Sequence, residues 1–221
     1  MELKTKSTQV YEILKKQIIR DDLKAGSRIT IRAIADKISA GQMPVQYALN
    51  RLVENGLVNK TPGGHYHIVA LTVKDAQEIF DLRVILEVYA LNSVVASAGN
   101  NKDLQELKER IESRCDKPKH EKKIEFLKID QELHWIIIEK SRNKRLQDIY
   151  SSKIFNFFVL LLQQMEHVAR DIEKAQREHK ALLEAILAKD LRKAKKKLKE
   201  HLGRARKEVI GHLEVRRKER T

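Results

Sequence analysis

Apolar positions follow two different rhythms along the chain. Up to Val69 they come in short runs broken by glycine and proline, and from Thr72 onward they return every three or four positions. Val10, Leu14, Ile18 and Ile19 mark a first helix with one apolar side, ended by Ala25-Gly26-Ser27. Thr30 is placed to cap a helix from Ile31 to about Ile38 that buries Ile31, Ile34 and Ile38, and Ser39-Ala40-Gly41 ends it. Pro44 falls in the first turn of the next helix, where its missing N–H costs nothing, and Val45, Ala48, Leu49 and Leu52 recur at helical spacing before the stop at Asn55-Gly56. Leu57-Val58-Asn59-Lys60 and Tyr66-His67-Ile68-Val69 read as two short strands joined by Thr61-Pro62-Gly63-Gly64-His65. Helix, turn, helix and hairpin in this order is the layout of a winged helix-turn-helix, whose natural partner is duplex DNA.

Beyond Thr72 strand signals vanish. Helices are expected at about 73–97, 101–115, 121–140, 143–167, 169–188 and 190–215, with breaks at Gly99-Asn100-Asn101, Asp116-Lys117-Pro118, Ser141-Arg142-Asn143 and Lys189-Asp190. The fold class is therefore mainly α: an N-terminal winged helix-turn-helix domain over residues 1–71 and a C-terminal all-α bundle of six or seven helices over 72–221. The connection around Leu71-Thr72-Val73 has no Gly/Ser tract, so motion in one domain is expected to reach the other.

Composition narrows the partner. The 221 residues carry a formal charge of +14, which favours a polyanion. Much of that excess lies away from the reading head: residues 189–221 hold fourteen Lys/Arg against five Asp/Glu. This C-terminal run is either a solvated helix face or a contact to flanking phosphates. The single cysteine, Cys115, rules out an intrachain disulfide and any thiolate metal knot, consistent with a reducing cytoplasm. The N-terminus has no signal-peptide pattern and the longest apolar run, Phe157 to Leu162, is too short to span a bilayer, so a soluble cytoplasmic protein with no membrane partner is expected.

The helical half holds candidate chemistry. Asp130 and His134 are four residues apart, hence on one helix face, which they share with Leu127, Ile137 and Ile138. His179 continues the apolar stripe Ile172, Ala175, Leu182, Leu183, Ile186, and His201 continues Leu191, Ala194, Leu198, Leu202, Ala205. Asp190 lies midway between the two histidines, so in an antiparallel hairpin both imidazoles stand at one height, about 16 Å from the turn. Any one of these histidines reads as a core residue satisfied by a hydrogen bond. Three with an aspartate form a donor set for a borderline divalent ion, Zn, Ni or Mn, with room for a water or ligand oxygen.

Two resemblances sharpen these readings. With Leu23, Gly26, Arg32, Pro44, Val45, Ala48, Leu49, Leu52, Gly56, Leu57 and Val58 in place, residues 10–69 resemble the DNA-binding half of the GntR superfamily of bacterial regulators. The family's third-helix arginines fall here on Gln42 and Gln46, and its hydroxyl residue on Met43. Operator sequence therefore cannot be carried over from relatives. Asp130-x-x-x-His134, Ser141-Arg142-Asn143-x-x-Leu146, Glu178-His179, Asp190 and His201-Leu202 resemble the metal-binding branch of the FadR-type effector domain, the FCD type. That resemblance implies Asp130, His134, His179 and His201 as metal ligands. Arg83 and Glu87 match its Arg-x-x-x-Glu pattern, either as a plain i, i+4 salt bridge or with Arg83 as the effector-binding cation for an organic acid.

Together these features describe a homodimeric transcription regulator, not an enzyme, reading a palindromic operator in double-stranded DNA. Gln42, Met43 and Gln46 are expected in the major groove, Arg32 on phosphate or a base edge, and the tip Gly63-Gly64-His65 near the minor groove. A small-molecule carboxylate effector held at the metal would change the distance between heads. The alternatives are a direct metal-ion sensor and a metal-dependent hydrolase, for which only Glu132 and Glu178 stand near the ligands in sequence.

Overall fold

The computed structural model describes residues 5–20, 22–97, 102–112, 119–164 and 172–218. Its helices are α1 (Lys6–Ile19), α2 (Ile31–Lys37), α3 (Gln42–Glu54), α4 (Val73–Ala96), α5 (Lys102–Glu112), α6 (Lys119–Glu139), α7 (Lys144–Ile149), α8 (Phe155–Gln164), α9 (Ile172–Leu187) and α10 (Leu191–Lys218), with a π-helical turn at Tyr150–Ile154 between α7 and α8. Three short strands, β1 (Arg28–Ile29), β2 (Val58–Lys60) and β3 (Tyr66–Ile68), complete the described secondary structure. The expected breaks at Gly99-Asn100-Asn101 and Asp116-Lys117-Pro118, together with Cys115, lie outside the described residues.

The chain forms two compact units. One comprises residues 1–72 with 151–167, the other residues 73–150 with 168–221. In the first unit, Thr5 and Thr30 cap α1 and α2, their hydroxyl oxygens accepting the amides of Thr8 and Ala33. Gly56, at φ +71, supplies the left-handed residue that turns the chain from α3 into the sheet. That sheet has the antiparallel order β1-β3-β2, with Ile29 opposite Tyr66 and Val58 opposite Ile68. The two-residue β1 was not anticipated, because a strand of that length shows no alternation to count. Leu14, Ile18, Val45, Leu49, Leu52, Leu57 and Ile68 close a common core, and Leu160 of α8 joins it. Asn156 of α8 also donates to the backbone oxygen of Asn55, the residue that ends α3. Residues 151–164 thus pack with the N-terminal unit, outside the 72–221 span expected to form one helical domain.

The second unit is helical throughout its described residues. The long α10 packs along α4 and α9, and α6 lies against α4, α5 and α9. Phe80, Leu91, Leu107, Leu133, Ile137 and Leu183 fill the interior. The single helix expected over 143–167 is three elements instead: α7, the π turn and α8. A π turn inserts one extra residue into the helical repeat, a shift that counting apolar positions does not reveal. No described helix is long and apolar enough to cross a membrane.

Candidate functional sites

Three helices converge on one buried centre in the second unit. Asp130 and His134 project one turn apart from α6, His179 comes from α9 and His201 from α10. The α9–α10 hairpin sets the last pair. Lys189 takes a left-handed φ of 57, Asp190 then caps α10 by accepting the Lys193 amide at 2.9 Å, and each ring stands eleven residues from that aspartate. The His179 and His201 Nε2 atoms are 3.3 Å apart, as are those of His134 and His201. Asp130 Oδ1 lies 3.1 Å from His179 Nε2, 3.7 Å from His201 Nε2 and 3.8 Å from His134 Nε2. All four donor atoms fall within 4.8 Å of one another. With metal–ligand bonds of about 2.1 Å, donors 3.3 Å apart subtend about 100°, which suits tetrahedral and octahedral ions alike.

The surroundings prepare those atoms to bind a cation. Glu87 of α4 accepts the Nδ1–H of His134 at 2.6 Å, and Glu178 of α9 accepts that of His201 at 2.9 Å. With Nδ1 carrying the proton, the Nε2 lone pairs of both rings must face the centre. Burial and the neighbouring imidazoles His179 and His134 hold the His201 ring well below the ordinary histidine range. Burial also lowers His179, against the pull of Asp130. Burial would raise Asp130, but its hydrogen bond with His179 and the adjacent rings keep it well below the usual carboxylate range. An ionised carboxylate oxygen and three imidazole nitrogens gathered within 4.8 Å of one another in a buried centre form a donor set that fits a divalent ion.

Arg83 sits within the same electrostatic neighbourhood. Its Nε donates to Glu87 Oε1 at 2.7 Å, with both side chains fully buried, so the i, i+4 salt bridge is present. Burial opposes its charge, but Glu87, Tyr150 and Asp130 together hold it firmly protonated. Glu87, which burial alone would raise, is pulled down to about 2 by Arg83 and His134. Tyr150 donates its hydroxyl to Glu87 Oε1 at 2.8 Å. The sequence reading saw Glu87 only as the partner of Arg83 and did not single out Tyr150. Their other contacts link residues far apart in the chain and leave no local pattern.

In the first unit, Gln42, Met43 and Gln46 lie along α3, with Met43 57% exposed. Tyr47, which the sequence reading passed over, is 61% exposed one turn beyond Met43, a spacing that places the two on one face. Arg32 is exposed on α2, its Nε 4.0 Å from Asp36. The wing loop is closed by the Thr61 amide donating to the His65 carbonyl at 2.9 Å and the Gly64 amide donating to the Thr61 carbonyl at 2.8 Å. Gly64 there adopts φ +77, and Gly63, Gly64 and His65 are all exposed. His65 Nδ1 accepts from Arg28 at 2.9 Å, bringing a cation to the wing that the sequence had not marked. Part of the basic C-terminal run is engaged within the protein: Arg204 pairs with Glu178 and Glu208, Arg206 with Asp81, and Lys197 with Glu200.

A winged three-helix head together with a helical unit built around a buried Asp/His cluster defines a class, the DNA-binding regulator with an appended helical domain. Residues 6–68 match the gntR family of bacterial regulatory proteins and residues 78–204 match the FCD domain, and the chain belongs to this family of transcription regulators. It is 27% identical over 197 residues to the HTH-type transcriptional regulator YdhC of Bacillus subtilis, covering 87% of this chain and 86% of that protein. It is 22% identical over 200 residues to the HTH-type transcriptional repressor GlaR of Escherichia coli, covering 87% and 90%. Among solved structures, E. coli McbR/YncC shares the fold with a TM-score of 0.74 at 20% identity, covering 94% of this chain and 98% of that one. The Zn2+-bound FCD domain of TM0439 has a TM-score of 0.56 at 28% identity, covering 65% of this chain and 97% of that domain. The family consists of regulators and not enzymes, which removes the hydrolase alternative. The candidate bases are also committed elsewhere: Glu132 is held by Arg110 at 2.7 and 2.8 Å, and Glu178 by His201 and Arg204.

Proposed function

We propose that this protein is a homodimeric, metal-bearing transcription regulator of the cytoplasm whose operator affinity is set by a small carboxylate effector. The observation that carries the reading is the convergence of Asp130 Oδ1 and the Nε2 atoms of His134, His179 and His201 in one buried centre. These four side chains would hold a divalent ion, Zn, Ni or Mn, which supplies a Lewis-acidic anchor for a carboxylate oxygen. Arg83, close enough to Asp130 and His201 to influence both, supplies the second positive charge for an organic acid. Gln42, Met43 and Gln46 read the major groove, Arg32 and the wing residues Gly63, Gly64 and His65 engage the backbone and minor groove, and two heads match a palindromic operator.

Support for a second copy comes from α4. From Leu82 to Ser97 its exposed side carries Leu82, Ile85, Tyr89, Asn92, Ser93 and Ala96. The charged residues of that span, Arg83 and Glu87, are buried, in a chain that is 34% charged. A charge-depleted helix face with a central tyrosine is what interface cores look like.

The test pairs metal analysis with DNA binding. Purified protein is expected to carry stoichiometric divalent metal and to bind fragments of its own upstream DNA with steep salt dependence. His179→Ala together with His201→Ala is expected to abolish bound metal. Retained stoichiometric metal would remove the ligand assignment, and no salt-dependent DNA binding in either metal state would remove the regulator reading. Metal that survives dialysis marks a resident cofactor, whereas freely reversible metal that alters operator affinity marks a direct sensor.

A further inference from the structure

The exposed face of α3 also carries information about which bases it reads, an inference that rests on the DNA-binding role proposed above. Its first two turns present Gln42, Met43, Gln46 and Tyr47, four uncharged side chains. The arginine farther along α3, Arg51, lies with its guanidinium 4.2 Å from the centroid of the Tyr11 ring. Asn50, one turn past Gln46, accepts the Tyr66 hydroxyl at 2.9 Å. Arg28 and Arg32 sit on β1 and α2, not on this helix. Base contacts from the start of this helix are thus made by two carboxamides, a thioether and a phenol.

Those groups fit the four base pairs unequally. Guanine offers two acceptors to the major groove, N7 and O6, and is matched best by the two donors of an arginine or lysine, which this face lacks. Adenine offers an acceptor and a donor, N7 and N6–H, which one carboxamide satisfies with both of its ends. Thymine adds a C5 methyl group that apolar surface covers. Met43 and Tyr47, 57% and 61% exposed, are the two large apolar side chains on this face. We infer that the operator bases beneath α3 are A·T pairs, with Gln42 and Gln46 on adenine edges and Met43 and Tyr47 against thymine methyl groups. Because the face is neutral, the charge that attracts phosphates lies off α3, and base choice by this helix is separable from that charge.

The experiment selects duplexes from a randomised pool with the full-length, metal-loaded protein and measures the winners by fluorescence anisotropy. A·T pairs are expected at the positions whose preference changes in Met43→Ala and Gln46→Ala. Replacing thymine by uracil there, which removes only the methyl group, is expected to weaken binding several-fold. Swapping one such pair to G·C is expected to cost about 5- to 150-fold, the range for a lost bidentate contact. Met43→Ala should leave the slope of affinity against salt unchanged, while Gln46→Arg should steepen it by about one and move one position towards guanine. Met43 is exposed and Gln46 half-buried, so circular dichroism of the variants should match the parent. G·C pairs at the variant-sensitive positions, or indifference to uracil, would overturn this inference and leave the regulator reading standing. Enrichment of no duplex at any salt would overturn both.

Discussion

Glu87 accepts three hydrogen bonds on two oxygens, from Arg83, His134 and Tyr150, and each does a different task. The His134 contact orients a ring of the buried Asp/His cluster, the Arg83 contact balances a buried charge, and the Tyr150 contact ties the end of α7 to α4. Glu87→Gln keeps the shape but removes the full negative charge, so metal affinity is expected to fall about 10- to 100-fold, read by competition with a chromogenic chelator. Glu178→Gln should act similarly through His201. A pH effect follows from burial of the rings. His179 and His201 are held below the ordinary range, so the unfolded chain takes up protons that the folded chain refuses. Stability of the metal-free protein is therefore expected to decline as pH drops below about 6.5, the unfolded histidine value, while Asp130 stays ionised in both states there. Denaturant midpoints at about pH 8 and about pH 5.5 test this, and equal midpoints would refute it. At this scale the convergence of the four side chains was legible because helical spacing gave Asp130 and His134 a common face and Asp190 gave the two hairpin histidines a common height. Glu87 was half-read: its local partner Arg83 shows in the sequence, its distant partner His134 does not.

Among elements, the capped and glycine-terminated helices of the head were readable almost to the residue. Their boundaries rest on local chemistry: Thr30 before α2, Gly56 after α3, the Thr61-to-His65 turn. The break within 143–167 was not readable, since its cause is tertiary. Tyr150, which begins the π turn, has its hydroxyl fixed to Glu87 of α4, a partner far away in the chain that leaves no local pattern. Helix α10 presents a separate case. Gly203 and Gly211 stand inside it, and a Cβ at either position meets nothing within 4 Å. Gly203→Ala and Gly211→Ala are each expected to raise stability by about 0.5–1 kcal/mol, measured by denaturant unfolding, because helix propensity improves without a clash. A loss of stability at either site would show that the open space is needed.

At the level of the whole molecule, the winged DNA-binding layout was visible from residue spacing and the family from the resemblance of its motifs, whereas the membership of α8 was visible from neither. An apolar helix announces that it is buried but not against which core, and Leu160 goes to the head. The charge-free side of α4 gives the prediction that belongs here. Ile85 is 64% exposed, so Ile85→Glu should leave the fold intact while placing a charge at the centre of the proposed interface. Sedimentation is expected to show a shift to monomer, with weaker binding to a two-half-site operator than to be explained by either half-site alone, and an unchanged sedimentation coefficient would exclude this face. The placement of α8 bears on how such regulators can be recombined. The strand of chain that supplies the head's last helix is written more than eighty residues after the wing, so a chimaera cut at the short linker would transplant a reading head without its floor. A working exchange of this chain's head must move two stretches of sequence together, which ties the inheritance of DNA specificity to a segment lodged inside the helical half of the chain.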